Sequence, residues 1–122
     1  MPALTSTIID DIIHAFNQHD VEKVLSYFSN NGIMISSGGD NCRGTYIQGK
    51  EAIGMALRSR FSSCPDINWS ECKTWISGHK AVSEFRVKAT LPTGKKLDAI
   101  GCDIWEFSEG KIMRKDTYYK HT

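Results

Sequence analysis

The C-terminal half of the chain is a run of strand-like segments separated by turn residues, and those turns constrain the fold more than any other feature. Gly78-His79 suits a two-residue hairpin loop, while Pro92-Thr93-Gly94 and Ser108-Glu109-Gly110 suit three-residue loops closing on a left-handed glycine. Each turn sets a register, and charge tests it. The first places Lys73 opposite Glu84 and Glu71 opposite Arg86; the second places Lys88 opposite Asp98. These opposite-sign pairs all fall on one face, which is therefore the outer one. Trp69, Trp75, Ile100, Cys102 and Ile104 share it, and so much apolar area calls for burial against a second copy of the chain.

Alternation assigns the remaining side chains to the inner face. Ser83 and Phe85 come from the second strand, Gly101, Asp103 and Trp105 from the third, and Met113, Lys115, Thr117 and Tyr119 from the fourth. Asp103, in the middle of the run IGCDIWEF, thus points inward, between Ser83 and Lys115. Gly, Ala, Ser, Thr and Cys dominate the middle of this face, where a sheet that merely packs on helices favours Leu, Ile and Val. Small side chains beneath helices leave volume, and volume with a few polar groups is how a ligand pocket is lined.

Upstream, Ile9, Ile12, Ile13 and Phe16 recur at helical spacing in TSTIIDDIIHAFNQHD, with Thr5, Ser6 or Thr7 available as N-cap. Asp20 suits the cap of a second helix, VEKVLSYF, whose Val21, Val24, Leu25 and Phe28 form one face. Asn30, Asn31 and Gly32 end it, and IMI begins a strand. Ser36 to Gly49 has four glycines and no sustained period, and reads as a long loop. A third helix, KEAIGMALRSRF, presents Ile53, Ala56, Leu57 and Phe61 as its buried stripe. The 122 residues contain no internal repeat and no low-complexity linker, so a single domain over residues 1–122 is expected.

Fifteen basic against fourteen acidic residues give no field to draw nucleic acid or an acidic membrane, and neither is expected as a partner. No apolar run approaches the roughly 20 residues that span a bilayer. Cys42, Cys64, Cys72 and Cys102 show no CxxC spacing, the histidines are scattered, and no metal or cofactor is expected. Two aspartates interrupt MPALTSTIIDDII before a signal-like apolar stretch forms, so free thiols in the cytoplasm are the expectation.

The order helix, helix, strand, long loop, helix and four-stranded meander resembles the nuclear transport factor 2-like cone fold over nearly the whole chain. AFNQHDVEKVLSYFSNNG, the GKEAI helix opening and GCDIWEFSEGKIMRKDTYYK look like its SnoaL-like branch, which includes polyketide cyclases and relatives of ketosteroid isomerase. The resemblance implies an α+β cone-shaped roll, with three N-terminal helices packed on a curved, mainly antiparallel sheet and a homodimer formed through the outer sheet face. It also implies an internal pocket for a small hydrophobic, carbonyl-bearing molecule, with acid/base isomerisation, cyclisation or dehydration as the chemistry open to it. The same fold hosts non-catalytic ligand-binding and dimerisation modules, so enzymatic activity stays open.

Ketosteroid isomerase combines a base aspartate with a tyrosine and a protonated aspartic acid. Carried over by resemblance, the tyrosine position becomes Ile12 and the base position Ser36; only the third group survives, as Asp103. Steroid isomerisation by that mechanism is not expected, whereas the cyclases, with a single pocket aspartate acting as acid and base, match better.

Asp103 is accordingly the candidate proton carrier, and Lys115 the group that anchors or polarises a substrate oxygen; a buried ion pair bridging two strands is the structural alternative. Ser83, Phe85, Trp105 and Tyr119 are candidate pocket residues, with plain core packing the alternative for the aromatics. Ser36 is a candidate hydrogen-bonding group and Tyr46 a candidate lid in the glycine-rich loop. His14, beside the apolar stripe of the first helix, is either a boundary residue facing solvent or a pocket residue. His19, His79 and His121 are expected in solvent.

Overall fold

The computed structural model describes residues 3–121; Met1, Pro2 and Thr122, which the single-domain expectation includes, lie outside the described residues. Helix α1 (Ser6–Asn17) starts at Thr5, whose hydroxyl accepts from the Ile8 amide, and buries Ile9, Ile12, Ile13 and Phe16 on one face. Asp20 caps α2 (Val21–Ser26) by accepting from the Lys23 amide. Strand β1 (Phe28–Ser36) follows at once, then β2 (Thr45–Gln48), α3 (Lys50–Ser63), β3 (Asn68–Ser77), β4 (Lys80–Thr90), β5 (Lys96–Ser108) and β6 (Lys111–Tyr119). The strands form one sheet in the order β2-β1-β6-β5-β4-β3. Only β1 and β6 run parallel; every other neighbour is antiparallel. The result is the expected α+β fold, with helices over one face of a curved, mainly antiparallel sheet. No helix among the described residues is long and apolar enough to cross a membrane.

Two of the three hairpin registers hold throughout or nearly so. Lys88 opposes Asp98 and Lys73 opposes Glu84, and the Pro92–Gly94 loop is closed by a Leu91 N–H to Lys95 carbonyl bond of 2.8 Å. Asp98 turns its carboxylate not to Lys88 but to Arg86, at 2.7 Å, and that contact holds it below the usual carboxylate range.

The departures are bulges. Glu71 adopts a left-handed backbone, φ 55°, and the ladder shifts there so that Ser70, not Glu71, opposes Arg86. Glu71 still reaches Arg86 at 3.3 Å, but the parity beyond it is reversed. Trp69 now opposes the buried Val87 and faces inward, against the expectation that it lies outside. The last hairpin turns on Glu109-Gly110, two residues both with positive φ, rather than on three. A second bulge follows it, which puts Met113 outside, half-exposed, and slides β6 so that Asp103 opposes Thr117 while Lys115 opposes Trp105. The slide is even-numbered, so Lys115 keeps its inward face.

Three further expectations change. Asn30, Asn31 and Gly32 do not end a helix; they sit inside β1 at an irregular stretch of its pairing with β6, and Phe28 is a buried strand residue. The expected loop from Ser36 to Gly49 contains β2, which pairs with β1 and tucks Ile47 against the core. His19 is half-buried, its Nε2 lying 2.7 Å from the Ile67 carbonyl and its ring stacked on Phe61. All four cysteines are free thiols.

Helix α1 is pinned to the sheet edge by one side chain. The Asn17 amide donates to the Trp69 carbonyl and its oxygen accepts from the Trp69 N–H, both at 2.8 Å. This fixes Ile13 and Phe16 above the inner face of β4 and β5, and so defines where space is left.

Candidate functional site

The space lies at the middle of β5. Along that strand Ala99, Gly101, Asp103, Trp105 and Phe107 are buried in strict alternation, so the Asp103 carboxylate is carried under the helices with its apolar neighbours. Only 4% of Asp103 and 8% of Lys115 is exposed. The Thr117 hydroxyl donates to Asp103 Oδ1 at 2.6 Å and accepts from Lys115 Nζ at 3.0 Å, and Nζ itself lies 3.4 Å from Oδ1. The ammonium also sits over the Phe16 ring at 5.0 Å and the Trp105 ring at 5.8 Å, so its outer side meets π-faces rather than water.

The second layer fixes the first. Ser83, fully buried and opposite Asp103 on β4, accepts from the Trp105 indole N–H at 3.0 Å and shares a 2.9 Å bond with the Thr74 hydroxyl. Its hydroxyl is consumed in orienting Trp105. Gly101 shows what one of the small inner-face residues makes room for: a Cβ there would lie 2.7 Å from Tyr119 Cδ1 and 2.6 Å from the Tyr118 carbonyl. Its absence lets Tyr119 and Phe85 meet edge to face.

Two spaces adjoin this cluster. Ile13, Phe16, Trp69, Phe85 and Trp105 wall a chamber of about 10 Å³ onto which Asp103 and Lys115 face. That is room for about one water molecule. Beside it runs a cleft of about 570 Å³, and Phe16, Trp69 and Lys115 line both. Met34, Leu57, Phe61, Ile67 and Leu97 give the cleft apolar walls, while Ser36, Thr117, Tyr119 and Arg60 supply polar groups. Burial, reinforced by the negative charge of Asp103, pushes the Tyr119 phenol up to about 12, which keeps it a neutral hydroxyl.

Of the residues singled out from sequence, Asp103, Lys115, Trp105 and Phe85 meet at the chamber, and Ser36 and Tyr119 line the cleft. Ser83 stands behind Trp105 and lines neither. Tyr46 lies not in a loop but on β2, half-exposed, where it lines a groove beside the cleft rather than the chamber or the cleft itself. His14 is exposed between the buried Ile13 and Ala15, outside both spaces. Ile12 is fully buried and offers no donor at the tyrosine position of ketosteroid isomerase. Sequence reasoning missed Thr117 as the residue touching Asp103, and Trp69 and Arg60 as cleft residues. Thr117 was already on the inner face by alternation; only the bulge hid its pairing. Among the described residues no group of three or more His, Cys, Asp or Glu side chains is placed to hold a metal ion.

A family model for the SnoaL-like domain matches residues 9–115. No curated protein sequence matches the chain. Among solved structures, a candidate polyketide cyclase from Xanthomonas campestris superposes with a TM-score of 0.83 at 17% identity, covering 94% of this chain and 89% of that one. A second candidate cyclase, from Pseudomonas putida, gives 0.82 at 19% identity, covering 96% and 92%. A protein of ketosteroid isomerase-like fold from Catenulispora acidiphila, in complex with trimethylamine, gives 0.81 at 14%, covering 96% and 88%. At such identities the likeness is one of fold.

Proposed function

Because the chain belongs to the SnoaL-like domain family, we propose that it binds a small hydrophobic, carbonyl-bearing molecule in the cleft and acts on it by acid/base chemistry. The observation that carries this reading is the hydrogen-bonded set Asp103–Thr117–Lys115, buried among aromatic rings at the junction of chamber and cleft. A chamber of one-water size excludes a ring, so the ligand body lies in the cleft and its carbonyl head meets Lys115 and Thr117. The Lys115 ammonium donates to the carbonyl oxygen and stabilises the enolate that forms when the neighbouring carbon loses a proton. Thr117 takes that proton while passing its own to Asp103 Oδ1, and the reverse transfer to another carbon completes an isomerisation with no net change of atoms.

A binding-only role is the second reading, and one observation favours it: Asp103 and Lys115 already satisfy each other. The two separate in one experiment. Exchange of the α-protons of 2-tetralone in D2O, followed by NMR, should be accelerated by the wild type. Asp103→Asn should slow it by about 10²-fold in protein that circular dichroism shows to be folded, although less stable by about 3–5 kcal/mol because the buried Lys115 loses its counter-charge. Equal exchange rates in wild type and variant would leave only the binding module, and an inability of either to bind any ketone would remove the pocket reading as well.

Two further proposals accompany this one. The apolar outer face packs against a second copy of the chain, and the free thiols fit a reducing cytoplasm.

A further inference from the structure

We infer that the ligand of the cleft is an amphipathic anion, with an apolar body in the cleft and a carboxylate held at its mouth by Arg60. The inference rests on the cleft being a ligand site, as proposed above. Through Ser36, Leu97, Thr117 and Tyr119 the cleft opens into a groove of about 700 Å³. The charged side chains lining cleft and groove are Arg43, Arg60, Lys95, Arg114, Lys115 and Lys120, against the single acid Asp116. In a chain with fifteen basic and fourteen acidic residues this is a local, one-sided field.

Two of those cations are already neutralised. Arg114 lies 3.2 Å from Asp116, and Lys115 belongs to Asp103. Arg43, Arg60, Lys95 and Lys120 make no ion pair among the described residues. Arg60 is the one of these that lines the cleft itself; among the described residues its guanidinium makes a single hydrogen bond, to Cys64 Sγ at 3.7 Å, and its charge acts on the Tyr119 phenol. Arg58, two residues earlier on the same helix, instead turns away to Glu22 at 2.6 Å. A carboxylate at the mouth therefore meets an uncommitted planar donor fork and a neutral tyrosine hydroxyl, while an apolar body continues down to Phe61, Ile67 and Trp69.

The test uses two probes that share a ring system and differ in charge, 2-naphthoate and 2-acetylnaphthalene. Each is titrated by calorimetry into wild type, Arg60→Gln and Arg58→Gln, at ~20 mM and ~300 mM NaCl. The wild type should bind naphthoate about tenfold more tightly than the ketone at low salt, with the advantage shrinking at high salt. Arg60→Gln should lose that preference and Arg58→Gln keep it. Equal affinities, a preference for the ketone, or a preference untouched by Arg60→Gln would overturn the anion inference and leave the pocket reading standing. If neither probe binds, the pocket reading falls and takes this one with it.

Discussion

Gly101 makes room for the Tyr119 and Phe85 rings by what it lacks. An alanine Cβ would press on a backbone oxygen of β6, which cannot swing aside as a side chain can, and on the Tyr119 and Phe85 rings. Gly101→Ala should therefore destabilise the protein by about 1–3 kcal/mol in urea unfolding and displace Tyr119 from the cleft wall. A variant as stable as wild type would show that β5 and β6 can part without loss. At this scale the inward direction of Asp103 was legible, because opposite charges at Lys88 and Asp98 and at Lys73 and Glu84 mark the outer face. Its partner was not. The turn at Glu109-Gly110 and the bulge after it change the pairing by two residues, and neither glycine nor charge distinguishes a three-residue loop from two residues plus a bulge.

The same limit governs whole elements. Helices announced themselves through caps at Thr5 and Asp20 and through a periodic apolar stripe. Strand β2 did not, since four residues among glycines carry too short a pattern to read, and its existence depends on pairing with β1. The β3 bulge rests on Glu71 in a left-handed conformation that nothing in its side chain requires, yet it decides that Trp69 lines the cleft. Asn17 anchors that reversed end of β3, and Asn17→Ala would leave a Trp69 N–H and carbonyl without their partners. The expected loss is about 1–3 kcal/mol of stability, with faster amide exchange at Trp69 than at Ile104. Unchanged exchange at Trp69 would mean that α1 is held by apolar packing alone.

For the molecule as a whole, the outer sheet face is the feature that the fold of one chain leaves unexplained. Trp75 is 56% exposed and Tyr118 53%, with Val82, Ile100, Ile104 and Met113 each more than a third exposed around them. A near-neutral chain offers little repulsion to oppose association through that face. Sedimentation velocity should find a dimer for wild type at ~50 µM and a monomer for the double variant Trp75→Glu/Ile104→Glu, with helical circular dichroism preserved. A wild type that stays monomeric at that concentration would assign the face to some other partner.

Strand β6 lies between β1 and β5, so the sixth strand in chain order is the one that joins the first hairpin to the later meander. Until it emerges from the ribosome, the sheet exists as two unconnected pieces, and the apolar stripes of all three helices have no complete surface to settle on. Such a chain acquires its native contacts late and over long sequence separations, a route that is slow and exposes sticky surface on the way. In the cell, nascent copies of this protein should lean on chaperones until β6 slots home.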